Sequence, residues 1–375
     1  MTDTVVRLDE ADLAELTATV AAYCRERFPD PIESKPGHRR DPDVVRQNWH
    51  RMAAELGIGA LLIPDDLGGA DATLAEATRV AETLSAELAP VPFLTTAVFA
   101  PVLLAGLARS DADGADDARE LLGELAKGTT IATVAFLSDH GDVRTDSLLD
   151  ADGTATGSFG YVLDADVADV VLLVGSDGAE IALARGTDLS VTPRTPFDLT
   201  RGLADVTAHT APVRILAAGT GQAAFAEALA AARLALAADS SGGAVAALDD
   251  ATGYARERIQ FGRPVGSFQA LKHILADRFV DAELALSVSR LAVDAAVDGV
   301  DSAAERLALA RFFCADRFVA VAADNIQIHG GMGFTAECRA HLYRRRAATN
   351  RNLFGSAAIA KRDYTDLITN REENR

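Results

Sequence analysis

Between Thr220 and Leu367 the chain carries a single proline, Pro264, among long stretches rich in alanine and leucine. Alanine and leucine stand at the top of the helix scale, and the residue that removes a backbone donor and clashes with the preceding turn is almost withheld. The segment therefore predicts long helices. No such helix can bury its apolar face alone, so they are expected to pack antiparallel as a bundle. The alanine richness of 223–247 belongs to the same composition and contains no internal repeat.

The rest of the chain has two other textures. From Asp9 to about Lys127 apolar residues recur at helical spacing, as in Leu13, Leu16 and Val20 and again in Ala77, Val80, Leu84 and Leu88. The short apolar run within 57–69 reads as an extended break between helices, ending in turn residues. From Thr129 to about Ala218 the pattern changes to β-prone runs separated by Gly and Asp: Ile131 to Phe136, Tyr161 to Leu163, Val170 to Val174, Glu180 to Ala184 and Val206 to Ala208. The expected organisation is α+β, with a helical domain over 1–128, a β domain over 129–219 and a helical bundle over 220–375.

At 375 residues, 49% hydrophobic and 24% charged, the chain has the balance of a soluble globular protein with two or three real cores. A net charge of -19 argues against a general nucleic-acid or anionic-membrane surface, so an anionic ligand must be met by a local basic site. Cys24, Cys314 and Cys338 are far apart and form no CxxC pair, which leaves no metal or disulfide reading. The first ten residues lack a basic start followed by an apolar core, and no run of eighteen apolar residues follows. No membrane insertion is expected, and the cytoplasm is the default compartment.

Two segments of the last region carry chemistry. The first runs from Tyr254 through Arg258, Gln260, Phe261 and Gly262 to Pro264 and Gly266, and reads as a helix that stops at Gly262, turns and restarts, with Arg258 in its last turn. The second is Gln327-Ile-His-Gly-Gly-Met-Gly-Phe, in which Gly330, Gly331 and Gly333 let a backbone approach a ligand without Cβ interference. It is followed by the arginine run 344–346. Taken alone, the glycine turn reads as tight helix packing more readily than as a phosphate site.

Together, in this order and about seventy residues apart, the two segments resemble the acyl-CoA dehydrogenase family. The resemblance extends to the order of domains and implies that family's fold: a helical domain, a β-barrel or sandwich, and a four-helix bundle. It implies FAD as cofactor, an acyl-CoA substrate, a flavin electron acceptor, and an oligomer, either a dimer or a tetramer. Arg258 would pair with the FAD pyrophosphate, a task suited to a planar, permanently charged fork. Gln260 and Phe261 would lie along the same cofactor. Gln327, Gly330 and Gly331 would contact the adenosine half of an FAD held mainly by the neighbouring subunit. The alternatives are a solvated helix charge for Arg258 and a helix-capping amide for Gln327.

The family's dehydrogenation uses a glutamate base near the substrate α-carbon. By alignment of the motifs the usual position falls on Phe354, in the turn Phe354-Gly355-Ser356, and the minority position falls on Ala232, one residue before Arg233. Arg233 is then either an active-site charge or a helix-packing partner. The nearest acid on the same helix, Asp239, lies seven residues on, about 10 Å further along the axis. It is either the base, if the thioester binds differently or the helix breaks near Gly242 and Gly243, or a buried polar or capping residue. The loops that would face the flavin ring, at 136–142 and 161–164, also depart from the family's wording, and His140 reads as a surface residue. The run 344–346 reads as a solvated helix face, or as a contact for coenzyme A phosphates or for an adjacent acidic subunit. Three functions follow: a working dehydrogenase, a partner subunit lending its adenosine edge within a mixed oligomer, or a flavoprotein of different oxidation chemistry.

Overall fold

The computed structural model describes residues 7–28, 41–110, 112–137, 148–150 and 152–373. Its first part is helical, with α1 (Glu10–Arg27), α2 (Pro42–Leu56), α3 (Leu74–Ala86), α4 (Ala100–Ala108) and α5 (Ala115–Ala126). Local chemistry sets where these helices begin. Asp9 accepts from the Ala11 and Asp12 amides, Asp41 accepts from the Asp43 amide ahead of α2, and Thr73 with Glu76 forms a reciprocal capping box at α3. Leu13, Val20, Ala77, Val80 and Leu84 are buried, as their spacing predicts. The 57–69 segment is not extended: it coils into short 3-10 turns at Ile58–Ala60 and Asp65–Leu67.

Just before α4 the chain makes a turn of π-helix, Leu94–Phe99, with all six residues buried. A π-turn carries one more residue per hydrogen-bonded ring than an α-turn and so re-aims the side chains that follow. Here Thr95 donates to the Asp164 carboxylate and Thr96 donates to the Ala132 carbonyl, tying this turn to the β domain.

The middle of the chain holds two separate sheets. β1 (Ala132–Ala135), β3 (Val170–Val174), β4 (Glu180–Arg185) and β7 (Arg214–Ala218) make one sheet in the order β1-β3-β4-β7. β2 (Thr154–Leu163), β6 (Leu203–Pro212) and β5 (Ser190–Pro193) make the other in the order β2-β6-β5. The sheets do not close on each other, so the barrel alternative is not realised. β2 begins seven residues before Tyr161, with small and polar residues that hide its strand character, and its register with β6 is broken by irregularities between Ala155 and Gly157 and between Phe159 and Val162.

The C-terminal part is a helix bundle of α6 (Gln222–Glu257), α7 (Gln269–Val297), α8 (Ala303–His329) and α10 (Ala357–Glu373), with the short α9 (Ala340–Asn350) packed on α6 and α8. α6 runs 36 residues without a break through Gly242 and Gly243. Those glycines serve packing: a Cβ on Gly242 would lie 2.2 Å from the Glu82 carbonyl oxygen, and one on Gly243 would lie 2.4 Å from the Phe318 ring. Their absence of side chains lets α3 and α8 approach α6 closely.

Candidate functional site

α6 stops at Glu257, earlier than its sequence suggests, and Arg258 is its extended C-cap at φ -71°, ψ 117°. The correction has a local cause. β8 (Ile259–Gln260) and β9 (Arg263–Pro264) pair as a hairpin in which Gln260 faces Arg263, and the two turn residues, Phe261 and Gly262, both have positive φ, at 54° and 75°. Two consecutive left-handed residues give the turn whose twist suits a two-residue hairpin. Phe261 accepts a backbone conformation that costs a bulky residue, and its ring is 91% exposed.

α8 ends at His329, and Gly330 follows at φ 62°, ψ -134°, a conformation that side chains disfavour. A Cβ on Gly330 or Gly331 would meet nothing within 4 Å, whereas one on Gly333 would press to 2.6 Å on the Ile326 carbonyl oxygen. Gly330 and Gly331 therefore border open space, and Gly333 permits packing. The two segments come together because the Tyr254 ring stacks on His329, centroids 4.2 Å apart, above a small core of Ala251, Ala255 and Ile328. Arg258, Gln260, Phe261, Gln327, Gly330 and Gly331 are all exposed at this end of the bundle. Arg258 is exposed, and among the described residues no ion pair joins it to a carboxylate.

The positions around the expected base have a different character. Ala232 is wholly buried in α6. Phe354 is also buried, at φ 54°, and its ring lies 5.5 Å from Phe99 and 6.4 Å from Phe136. Phe225 completes the cluster, 6.2 Å from Phe99 and 5.6 Å from Phe136. The four rings come from the π-turn, the end of β1, α6 and the turn after α9. Two of these rings, Phe136 and Phe354, border a void of about 40 Å³ together with Val134, Tyr161, Leu163 and Leu353, room for a few waters.

Arg233 is turned to the backbone of this same turn. Its Nε donates to the Phe354 carbonyl at 2.9 Å, and Arg311 Nη2 donates to the Phe354 and Gly355 carbonyls at 3.3 Å each. Arg233 thus clamps the turn, joined by Arg311, whose side chain is only 7% exposed. Arg311 lies in no motif, and nothing in its sequence surroundings marks it.

Asp239 is 2% exposed and fully engaged. Oδ2 accepts from Arg346 Nη2 at 2.5 Å and Arg201 Nη2 at 2.7 Å, while Oδ1 accepts from Asn350 Nδ2 at 2.7 Å, Arg346 Nε at 3.1 Å and Ser85 Oγ at 3.1 Å. Burial pushes its pKa up, but Arg201, Arg346 and the hydrogen bonds from Arg346 and Asn350 outweigh that and hold the carboxyl well below the usual range. A carboxylate with so little affinity for a proton, inside an unbroken helix, is unsuited to act as a base. The buried polar reading of Asp239 is the one its surroundings match. The run 344–346 likewise divides, since Arg346 is buried on Asp239 and Arg345 donates to the Phe197 carbonyl. It is neither a uniformly solvated face nor a phosphate site acting as a unit.

Of the two ring-facing loops, 138–142, with His140, lies outside the described residues. In the other, Tyr161 and Asp164 both have positive φ, at 56° and 59°; Tyr161 is 42% exposed and Asp164 is buried. Beside Tyr161 a groove of about 920 Å³ opens between the β domain and α9, outside the aromatic cluster.

Comparison with known proteins decides the family. The sequence matches the N-terminal domain of acyl-CoA dehydrogenases over residues 10–109 and their C-terminal domain over residues 219–366. It is 33% identical to acyl-CoA dehydrogenase IpdE2 of Mycolicibacterium smegmatis over 346 residues, covering 91% of this chain and 93% of that protein. The chain belongs to the acyl-CoA dehydrogenase family.

Two solved structures extend the likeness to three dimensions. A chain of the ChsE4-ChsE5 complex from Mycobacterium tuberculosis superposes with a TM-score of 0.81 at 25% identity, over 96% of this chain and 98% of that one. A glutaryl-CoA dehydrogenase from Mycobacterium smegmatis in complex with FADH2 shares the fold, with a TM-score of 0.82 at 16% identity over 97% and 95%. The acyl-CoA dehydrogenase fold is an FAD-binding fold. In this member the exposed cation and open glycines at one end suit the dinucleotide's adenosine and pyrophosphate. Phe354 and Ala232, at the two positions where the resemblance expects a base, carry no group that can accept a proton. The four-ring cluster was not evident from the sequence, because Phe99, Phe136, Phe225 and Phe354 are widely separated and share no motif.

Proposed function

We propose that this chain is a non-catalytic partner subunit of a mixed acyl-CoA dehydrogenase. Through Arg258, Gln260, Phe261, Gln327, Gly330 and Gly331 it lends the adenosine edge of the FAD site to a second chain, which holds the flavin ring and carries the glutamate. When bound, FAD would supply the hydride acceptor for α,β-desaturation, and this chain's residues would hold its nucleotide end. The acyl-CoA and the electron acceptor then belong to the partner's half of the site, in a cytoplasmic dimer or tetramer.

The observation that carries the reading is Phe354. It stands where the resemblance expects the carboxylate and packs on the rings of Phe99 and Phe136, while Arg258, Gln327, Gly330 and Gly331 are exposed. The similarity to a chain from the ChsE4-ChsE5 complex is in line with a paired assembly. The test is flavin absorbance of the chain purified alone and after co-expression with the product of its neighbouring gene. Substoichiometric flavin alone and flavin gained with the partner are expected. One flavin per lone chain overturns the proposal. If that flavin is bleached by an acyl-CoA, the chain is a dehydrogenase in its own right; if it ignores acyl-CoAs, the fold serves another oxidation.

A further inference from the structure

The exposed end of the bundle is built from two stretches of chain, 254–266 and 327–335. Among the described residues no hydrogen bond or ion pair joins one stretch directly to the other. The core between them is small, with Ala251, Ala255 and Ile328 as its buried members. Two of the three are alanines, so the apolar surface they remove from water is modest. The directional contact between the stretches is the stacking of Tyr254 on His329, with centroids 4.2 Å apart and planes 29° apart.

Both rings are tied to residues that would meet the nucleotide. The Arg258 amide donates to the Tyr254 carbonyl at 2.9 Å, so the last turn of α6 carries the ring and anchors the backbone of the cation. His329 lies between Gln327 and Gly330 and is 8% exposed. Its imidazole is oriented from behind. Nδ1 lies 2.9 Å from the Asn325 carbonyl oxygen, which only accepts, so this nitrogen carries the proton and donates. Asn325 Nδ2 in turn donates at 3.0 Å to Oδ2 of Asp250, one turn before Tyr254 on α6. The His329 ring is thus held against Tyr254 by its own chain.

Such a stack can set FAD affinity without touching FAD. Where two stretches face each other correctly only while their rings are stacked, the apparent affinity falls with the stacked fraction, by no more than the free energy the stack supplies. We propose that Tyr254 and His329 are positioning residues for the FAD nucleotide, aligning Arg258 on one stretch with Gly330 and Gly331 on the other. The proposal rests on the FAD edge put forward above and adds what holds its two halves in register.

The test is the FAD affinity of the complex with its partner, read by flavin fluorescence on dilution, beside the unfolding midpoint of each variant. Tyr254→Leu and His329→Leu should each weaken FAD by about three- to ten-fold, the worth of one aromatic pair, and the double variant no more than either alone. Tyr254→Phe and His329→Phe keep both rings and should stay within about two-fold of the wild type. His329→Phe removes the bond to Asn325, so its unfolding midpoint should fall while FAD affinity holds, a split that a merely structural residue does not give. Unchanged FAD affinity in both leucine variants overturns the proposal, as does affinity that follows the unfolding midpoint whether or not both rings are present. Arg258→Gln separates this from failure of the FAD edge. If it weakens FAD and the leucine variants do not, the edge stands without the stack; if it too leaves FAD unchanged, both fall.

Discussion

Arg346 meets Asp239 edge to edge, Nε to Oδ1 at 3.1 Å and Nη2 to Oδ2 at 2.5 Å, and both side chains are almost wholly removed from solvent. Arg201 reaches the same carboxylate from the β5–β6 loop and Ser85 from α3, so helical domain, β domain and bundle converge on one buried anion. Taking away one member of such a set leaves uncompensated buried charge, at a cost of about 3–5 kcal/mol. Asp239→Ala should therefore lower the denaturant midpoint by a corresponding amount. A loss under about 1 kcal/mol, the size of an exposed pair, would show that the convergence contributes little.

The same carboxylate sets a pH dependence of known sign. Its native pKa is depressed, so its contribution is complete above the unfolded value of about 3.9 and is lost as pH falls through the native value. Urea unfolding measured across the acid range should show a steeper loss of stability in the wild type than in Asp239→Asn. Parallel curves would remove Asp239 as the cause.

Replacing Phe354 by alanine should cost about 3–5 kcal/mol, as for other buried phenylalanines, and open an apolar cavity beside Phe99 and Phe136. Xenon binding in a crystal of the variant would detect that cavity. Phe354→Glu should be destabilising too, since a buried carboxylate there would have the rings of Phe99 and Phe136 for neighbours. A Phe354→Glu chain as stable as the wild type would mean that the chamber is wetter than the packing shows.

Arg258→Gln changes an exposed residue and should leave the stability of the chain within about 0.5 kcal/mol. In the mixed oligomer it should weaken FAD by about ten-fold or more, the worth of a charge-assisted hydrogen bond. Flavin retention through gel filtration at increasing dilution would measure this. Unchanged retention would place the pyrophosphate elsewhere.

The two segments that meet at the exposed end of the bundle stood out in the sequence because each is local. The glycines and the residues Arg258 and Gln327 sit inside recognisable segments, whereas the hairpin over Ile259–Pro264 was not read there. Composition likewise announced the helices of the bundle, because alanine and leucine abound there and proline is nearly absent. The exact end of α6 was missed, since Phe261 takes up a left-handed conformation that its side chain disfavours. The strands β5 and β7 were missed because short, partly polar segments gain their strand character only by pairing. The aromatic cluster, the Arg311 clamp and the partners of Asp239 could not be read at all. They join residues distant in sequence, and no local rule encodes which buried groups will meet.

The central claim is that this chain completes a flavin site it cannot use alone. Flavin content per subunit, measured by visible absorbance on the chain alone and on the complex with its partner, tests it most directly. The account predicts a nearly colourless lone chain and a yellow complex in which acyl-CoA bleaches the flavin. A lone chain carrying one flavin per subunit that acyl-CoA reduces would contradict it.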